Sequence, residues 1–346
     1  MAEGAVTPPH GCRRATEHPR ARRVASGSIA CATLLAGCAG IQSTLDPHSP
    51  DAERIATLTW VLSGGGAAIF VLLMALLIYV MLRPQQRGWL ASNALIMAGG
   101  VLFPVVTLAS LLIYSMIVVA AMSIADEDSL QIEVTAHQWW WEVRYLDGAG
   151  TVAFGTANEI HIPIDRPVLA RITSADVIHS FWIPNLAGKV DMIPGHWHEL
   201  PFEASSAGTF RGQCAEYCGG PHGWMAFHVV AQAPETFAAW YERERAPARE
   251  AQTPEQTRGG ELFLTHGCGI CHTIRGTPAV GRLGPDLTHI GSRSSIGAGV
   301  MPNNVGTLVH WMTDNQQIKP RNRMPGYDRL PSEDVRGIAL YLESLE

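Results

Sequence analysis

Two long uncharged stretches stand out in the first part of the chain. Residues 55–82 and 88–125 contain no Asp, Glu, Lys or Arg. At about 1.5 Å per residue, a helix of either length exceeds the hydrocarbon core of a bilayer, which is about 30 Å thick. Buried helices of a soluble core are amphipathic and seldom run so far without a charge. The pattern therefore predicts transmembrane helices at 55–82 and 88–125, joined by the loop 83–87, whose two arginines favour the cytoplasmic side.

The amino-terminal residues have the pattern of an export signal. Five arginines between positions 13 and 23 precede the uncharged run 24–37, which is too short to span a bilayer. We predict a signal peptide at 1–37 and an extracytoplasmic segment at 38–54. The run ends in Leu-Ala-Gly followed by Cys38, which resembles a bacterial lipoprotein box and makes Cys38 a candidate for lipidation. The alternative is an ordinary signal sequence cleaved nearby, with Cys38 incidental.

After position 126 the pattern changes to short segments rich in branched and aromatic residues, separated by Asp-Gly, Pro and Gly turn signals. Such segments are typical of an antiparallel β-sandwich or barrel, which we predict over 126–233. Residues 241–250 are mostly charged, with no apolar face, so we predict a linker over 234–252 that is partly helical. Residues 253–346 combine helical patterns with Gly-rich loops and predict an all-α domain. The predicted strands are 130–135, 139–145, 159–164, 168–172 and 226–230.

Composition narrows the class of protein. The charged fraction is 16%, against about 25% for an average soluble chain, which agrees with part of the apolar surface lying in lipid. The net charge of −6 leaves no basic excess to neutralise phosphates, so nucleic acid is excluded as a partner. The seven cysteines are an odd number, and four of them form two tight pairs. Tight pairs favour metal ligation or cofactor attachment over simple disulfides.

The first pair lies in a cluster of soft and intermediate donors. Cys214, Cys218, His222 and Met225 fall within twelve residues, and His179 precedes them on a predicted strand. This set selects copper over calcium or magnesium. Two thiolates four residues apart can bridge two copper ions, with one histidine for each metal and Met225 as a weak outer ligand. A Cys214–Cys218 disulfide and a zinc site of two cysteines and two histidines are the alternatives, but zinc seldom uses methionine.

The second pair belongs to the sequence Cys268-Gly-Ile-Cys271-His272, the C-x-x-C-H signature of covalent c-type haem attachment. Two thioethers would anchor the porphyrin, and His272 would ligate the iron. Met324, in Arg-Met-Pro-Gly, resembles the methionine loop of class I cytochromes c and is the candidate for the second axial ligand. Pro285 lies in a loop similar to the one that orients the haem histidine through a carbonyl. Other candidates for the second ligand are Met301, Met312, His289 and His310.

The two spans followed by a β domain with this ligand set resemble subunit II of the haem–copper cytochrome c oxidases over roughly residues 40–233. The resemblance implies a cupredoxin-like barrel with a binuclear CuA centre, to which Glu216 contributes its backbone carbonyl. It also implies that the Glu216 side chain reaches a magnesium ion at the boundary with subunit I. The stretch His-Gln-Trp-Trp-Trp ending at position 141 matches the family's electron-entry region, and we assign entry to Trp139.

With a haem domain after the β domain, the chain resembles the caa3-type oxidases, in which cytochrome c is fused to subunit II. The expected fold is thus a multidomain membrane protein with a two-helix hairpin, an all-β cupredoxin-like barrel and an all-α class I cytochrome c domain. Electrons would enter from cytochrome c or a membrane-bound donor and leave toward subunit I, where oxygen is reduced and protons are translocated. The expected location is the bacterial cytoplasmic membrane, with both cofactor domains in the periplasm and subunit III as a further partner.

Two features depart from the family pattern. Residues 89–104 contain no acid, so the glutamate that many relatives use as the entrance to a proton path is missing. His196 and His198 stand where the family usually has an arginine. Two other functions fit parts of the pattern: an electron-entry subunit of a nitric oxide reductase-type complex and a membrane-anchored copper-binding protein. The haem signature counts against the second of them, because copper delivery has no use for haem.

Overall fold

The first membrane helix begins earlier than predicted. The computed structural model describes residues 39–83, 85, 88, 92–122 and 128–346, so the predicted signal peptide and Cys38 lie outside the described residues. Helix α1 spans Pro50–Leu82. The hydroxyl of Ser49 accepts a hydrogen bond from the Ala52 amide at 3.0 Å, and Pro50 takes the first helical position. These capping residues, rather than the first uncharged residue at position 55, decide where the helix starts.

The second membrane helix contains a wide turn. It consists of α2 (Asn93–Met97), a π-helical turn (Ala98–Leu102) and α3 (Phe103–Ala120). Pro104 has no amide hydrogen, and its ring would clash with the carbonyl of Gly100 in a regular α-helix. The Phe103 amide bonds to the carbonyl of Ala98, five residues back, which widens the helix just before the proline.

Both helices have the properties of membrane spans. Each is long and apolar enough to cross a bilayer, and their side chains are exposed rather than packed. Leu72 is 65% exposed and Leu108 is 66% exposed, whereas the core helix of a soluble protein would bury such residues. By length, composition and exposure, both helices are therefore suited to anchor the chain in a membrane.

Ten strands form the β domain. Five make one sheet in the order β3-β2-β1-β5-β8, and five make a second sheet in the order β4-β10-β9-β6-β7. The strands are β1 (Leu130–His137), β2 (Trp140–Leu146), β3 (Val152–Ala157), β4 (Glu159–Pro163), β5 (Val168–Ser174), β6 (His179–Trp182), β7 (Val190–Met192), β8 (His198–Phe202), β9 (Gly208–Cys214) and β10 (Ala226–Gln232). The five predicted segments all form strands, β6 is the strand expected to carry His179, and β3, β7, β8 and β9 were not predicted.

The expectation of purely antiparallel pairing was wrong at two places. Strand β1 pairs with β5 in parallel, and β4 pairs with β10 in parallel. After β3 the chain leaves the first sheet, adds β4 to the second sheet and returns as β5 beside β1. Strands that neighbour each other after such a crossing run in the same direction, which local alternation of polar and apolar residues does not reveal.

Aromatic side chains fill the space between the two sheets. Trp141, Phe181 and Phe227 are fully buried, and the rings of Phe181 and Phe227 stack with centroids 4.5 Å apart. Gly212 lies against this cluster, because a Cβ atom there would come within 2.1 Å of the Phe227 ring. This packed core supports the strands that carry the copper-site candidates.

The predicted linker 234–252 contains a helix that packs on the barrel. Helix α4 spans Pro234–Arg245. Its residues Phe237 and Trp240 belong to the core of the β domain, and the Trp240 ring stacks on His161 at 4.1 Å. The helical part of the linker was predicted, but its packing on the barrel was not, because the prediction rested on the charged residues after position 240. The apolar residues just before them complete a helical face that extends the β domain.

The carboxy-terminal domain is helical. Helices α5 (Pro254–Thr265), α6 (Val305–Ile318) and α7 (Ser332–Glu343) surround a cleft, and β11 (Ser295–Ile296) pairs with β12 (Met301–Pro302). Helices α5 and α7 touch at two glycines: a Cβ atom on Gly259 would lie 2.2 Å from the carbonyl oxygen of Gly337. Their close approach forms one wall of the domain.

The helical domain contacts the β domain directly. Glu159 of β4 accepts a hydrogen bond from the Ser294 amide at 3.0 Å, and the Ala226 amide donates to the carbonyl of Ala298 at 3.1 Å. Burial disfavours the charge on Glu159, but hydrogen bonds from His161 and Ser294 outweigh this effect and lower its pKa to about 2. The two domains therefore share a polar, partly buried contact surface.

Candidate copper and haem sites

The candidate copper ligands meet at one end of the second sheet. Cys214 ends β9, Met225 directly precedes β10, and Cys218 and His222 lie in the connection between them. His179 is the first residue of β6, which pairs with β9. The strand pairing thus brings a histidine that is distant in sequence to the cysteine loop.

The distances fit a centre for two metal ions. The Sγ atoms of Cys214 and Cys218 are 3.7 Å apart, which excludes a disulfide bond of about 2.05 Å. His179 Nδ1 lies 3.7 Å from Cys214 Sγ, and His222 Nδ1 lies 3.5 Å from Cys218 Sγ. Met225 Sδ lies 3.8 Å from Cys218 Sγ. Each thiol has an imidazole of its own, which is what two bridging sulfurs in a two-copper centre require.

The backbone at Glu216 completes the donor set. Its carbonyl oxygen lies 3.2 Å from Cys214 Sγ, whereas its carboxylate is exposed and accepts a hydrogen bond from the Tyr217 amide. The hydrogen bond between the two thiols lowers the pKa of Cys214 and raises the pKa of Cys218. Metal binding would displace the protons of these thiols.

Asp176 orients the first histidine. His179 Nε2 lies 2.9 Å from Asp176 Oδ1, and the Gln138 amide donates to Asp176 Oδ2 at 2.7 Å. Burial lowers the pKa of His179, but the hydrogen bonds to Asp176 and Cys214 outweigh burial and raise it. Because Nε2 is bonded to the carboxylate, Nδ1 is the nitrogen directed to the thiols.

The aromatic stretch before β2 touches the cysteine loop. Trp139 Nε1 donates to the carbonyl of Cys218 at 3.0 Å, and Gln138 Nε2 donates to the same oxygen at 2.8 Å. Trp140 stacks on His137 with centroids 4.4 Å apart. Trp139 therefore contacts the backbone of Cys218, and the Trp141 ring faces the His179 ring with centroids 6.3 Å apart.

The C-x-x-C-H motif forms a tight turn after α5. Cys268 begins a 3-10 turn, Cys271 follows it, and both are free thiols at the cleft. His272 Nδ1 donates to the carbonyl of Pro285 at 2.8 Å. Burial lowers the pKa of His272, and the hydrogen bond from Nδ1 leaves Nε2 for a metal. Gly284 packs against this ring, since a Cβ atom there would lie 2.5 Å from His272 Cε1.

The cleft has the chemistry of a haem pocket. Its walls are mostly apolar, and Met324 and Met312 line it together with the C-x-x-C-H residues. Arg293 Nε is buried in this wall with no hydrogen-bond partner among the described residues, which suits the carboxylates that a haem carries. His289 is not a ligand candidate, because Nδ1 and Nε2 contact the carbonyls of Glu346 and Ala246.

Comparisons with known proteins agree with both sites. Residues 146–232 match the family described as cytochrome c oxidase subunit II, periplasmic domain, and residues 256–346 match cytochrome c. Cytochrome c oxidase subunit 2 of Alkalihalophilus pseudofirmus is 30% identical over 90% of this chain and 94% of its own length. The chain belongs to the cytochrome c oxidase subunit II family. Its subunit II and cytochrome c domains together give a caa3-type fusion.

Other relatives match over shorter stretches. Cytochrome c oxidase subunit 2 of Bacillus sp. strain PS3 is 32% identical over 64% of each chain. The crystal structure of the periplasmic domain of subunit II of cytochrome oxidase from Bradyrhizobium japonicum is 31% identical, covers 35% of this chain and 97% of that one, and has a TM-score of 0.33.

Family membership confirms the main predictions. The expected fold class is present: two apolar helices, a cupredoxin-like β domain and a helical cytochrome c domain. The chain is subunit II of a cytochrome c oxidase, an oxidoreductase, with copper in the first outer domain and haem in the second. It is the partner of a haem–copper subunit I. This function is supported over the nitric oxide reductase-type and copper-binding alternatives.

Several residues of this subunit II were missed by sequence reasoning. Asp176 holds a candidate copper ligand, Arg293 lines the haem cleft, and Lys319 is buried where the cleft meets the β domain. Only Asp176 had a usable signal, since it lies three residues before His179. Among the described residues, the grouping of histidine, cysteine and acidic side chains that could hold a metal is His179 with both cysteines.

Proposed function

We propose that His179, Cys214, Cys218, His222 and Met225, with the carbonyl of Glu216, hold the CuA copper pair of this subunit II. The observation that carries the proposal is the spacing of the sulfurs: two free thiols 3.7 Å apart, each within 3.7 Å of a different imidazole. A single-copper site needs only one cysteine, and a zinc site has no place for the methionine.

We further propose that Cys268 and Cys271 attach the haem covalently, and that His272 and Met324 are its axial ligands. When bound, the haem and the copper pair supply one-electron redox chemistry, which delivers electrons to subunit I for the reduction of oxygen to water coupled to proton translocation. A His–Met pair saturates the iron and suits an electron carrier. The cleft supports this assignment because Met324 lines it and Pro285 holds His272 in the required orientation.

The chain's own residues prepare these sites. Asp176 fixes the ring of His179, while Gln138 and Trp139 hold the backbone of Cys218. Held ligands need little rearrangement when the metal changes oxidation state, which favours rapid electron transfer. We propose Trp139 as the point where electrons enter the copper domain.

The finer assignments are also proposals. The Glu216 carboxylate is exposed beside the copper loop, where it can reach a magnesium ion at the boundary with subunit I. The hairpin would lie in the bacterial cytoplasmic membrane, with both cofactor domains in the periplasm. Subunit III would join the complex, and cytochrome c or a membrane-bound carrier would be the donor.

The test is the metal content and spectroscopy of the full chain, produced with haem maturation in an exporting host. We expect two coppers and one iron per chain, with a paramagnetic signal from one electron shared by both coppers. Cys218→Ser should abolish this signal and leave the haem spectrum unchanged. One labile copper, or zinc, in the unsubstituted chain would refute the proposed copper ligands.

A matched pair of variants tests the haem ligand. Met324 and Met301 are each followed by proline, but only Met324 lines the cleft. Met324→Leu should convert the low-spin haem to a form that binds carbon monoxide, whereas Met301→Leu should not. Equal spectra for the two variants would contradict the assignment of Met324.

A further inference from the structure

Lys319 is a lysine in an unusual place. It follows α6, its side chain is 2% exposed, and Nζ donates to the carbonyl oxygens of Trp139 at 2.5 Å and Gly297 at 2.9 Å. Among the described residues it forms no ion pair with a carboxylate. Burying an ammonium group is costly unless it is well bonded, and here burial lowers the pKa of Lys319 to about 7. Because burying the Lys319 ammonium group is energetically unfavourable, the stability of the helical domain does not explain why a lysine is found here.

The contact with Trp139 crosses from the haem domain to the copper domain. The indole of Trp139 donates to the carbonyl of Cys218, a proposed copper ligand. Trp139 and Trp140 also line the same cleft as Cys268 and Cys271. Trp139 thus borders both sites, and Lys319 donates a hydrogen bond to its backbone carbonyl.

A second, weaker contact lies close by. The Arg323 guanidinium is 3.8 Å from Asp176 Oδ2, the carboxylate that orients His179. The Arg323 side chain is largely exposed, so this ion pair contributes little on its own. Lys319 and Arg323 flank the loop leading to Met324, and each reaches a residue that hydrogen-bonds a copper ligand. The loop of the proposed haem ligand is thus placed against the copper domain by two cationic side chains, of which the buried one dominates.

We propose that Lys319 is the positioning residue that seats the haem domain on Trp139 and so fixes the haem against the copper site for electron transfer. This inference rests on the proposed function. Lys319 acts through the backbone of Trp139 and touches neither set of ligands. If the Lys319 ammonium group were removed, the segment 246–253 between α4 and α5 would still keep the two domains together. The docked position of the haem domain would be less populated.

The lysine content of the chain allows a direct test. Lys189 and Lys319 are its only lysines, and Lys189 is exposed. The full chain, loaded with haem and copper, is treated with succinimidyl acetate at pH 8 and the modification of each lysine is followed by mass spectrometry. An accessible amine with a pKa near 7 would react readily at this pH, so slow reaction reports burial. We expect Lys319 to react at least about tenfold more slowly than Lys189, and equal rates would overturn the proposal.

The second test measures electron transfer. Lys319→Met keeps an unbranched apolar side chain and removes the ammonium group, and Lys189→Met is the matched control. After flash photoreduction, one electron leaves the reduced haem and reduces the oxidised copper pair. We expect the rate to fall about tenfold or more in Lys319→Met, with unchanged haem and copper spectra and potentials, and to stay the same in Lys189→Met.

The outcomes separate the two proposals. An unchanged rate in Lys319→Met would refute the positioning role, and so would a loss of rate explained by altered spectra or potentials. If that variant loses a cofactor, the labelling of the unsubstituted chain still decides whether Lys319 is enclosed. Absence of the shared-electron copper signal in the unsubstituted chain would instead refute the proposed copper ligands.

Discussion

Replacing Gly284 with alanine should disturb the haem histidine through one added carbon atom. Gly284 has a backbone conformation that alanine can adopt, since it is not among the residues with positive φ. A Cβ atom there would lie 2.5 Å from His272 Cε1 and 2.9 Å from Nδ1. Carbon atoms in contact are normally about 3.5 Å apart or more, so the ring must move by about 1 Å. The hydrogen bond from Nδ1 to Pro285, now 2.8 Å long, would then exceed its usual limit.

The cost has two parts. Inserting a carbon into a packed site costs about 1–3 kcal/mol, and losing the hydrogen bond costs about 0.5–1.5 kcal/mol. Together they predict a loss of about 1.5–4.5 kcal/mol for the haem-bound domain. The change from glycine to alanine has no helix-propensity contribution to the free energy of unfolding, because Gly284 lies outside the helices.

The assay is denaturant unfolding of the full, haem-loaded chain, followed by haem absorbance. Gly326→Ala is the control: it lies in the methionine loop, also has an ordinary backbone conformation, and its added Cβ would be 3.5 Å from the nearest atom. We expect the control to change the stability by less than about 1 kcal/mol. Equal stability of the two variants would contradict this reasoning. So would a Gly284→Ala variant that unfolds like the unsubstituted chain and, like it, does not bind carbon monoxide at the haem iron.

Three further predictions follow from other contacts. Asp176→Asn should weaken copper binding about 10- to 100-fold in a chelator competition, with haem content unchanged, because the carboxylate orients His179. Glu159 has a pKa of about 2, below its usual value, so it stabilises the fold above about pH 4.5 and loses this effect as the pH falls toward 2. Glu159→Gln should therefore flatten the pH dependence of stability in that interval. Gly259→Ala should lower the unfolding temperature, whereas Gly337→Ala, whose Cβ would meet a flexible leucine at 3.3 Å, should change it little.

The sequence revealed the two sites because their ligands are mostly local. Cys214, Cys218, His222 and Met225 fall within twelve residues, and the haem signature occupies five, so donor type and spacing predict both clusters. Met324 is distant from the haem signature, and the resemblance to class I cytochromes c supplied it. His179 is distant from the cysteines and was included because of its donor type on an earlier strand. Pairing of β6 with β9 is what brings His179 to the cysteines.

The structural features that were not predicted depend on long-range contacts, which no periodic pattern in the sequence indicates. Lys319 and Trp139 are 180 residues apart, and nothing in either neighbourhood marks them as partners. The parallel pairing of β1 with β5 arises from a crossing between sheets, which alternation along a strand does not encode. Helix α4 was recoverable, because Phe237, Trp240 and Tyr241 follow the spacing of a helical face.

The short segment between α4 and α5 explains how polar contacts can be enough to dock the haem domain. Arg275 holds the beginning of this segment: its Nη2 donates to the carbonyl of Glu244 at the end of α4, and its own carbonyl accepts from the Ala248 amide at 2.9 Å. A tether this short gives an effective concentration in the millimolar range or above. The interface between the two domains therefore has to fix the orientation of the haem domain on the copper domain, and it does not need to provide high affinity. A buried, directional contact such as that between Lys319 and Trp139 is suited to this task, whereas a broad apolar patch would add affinity without fixing the orientation.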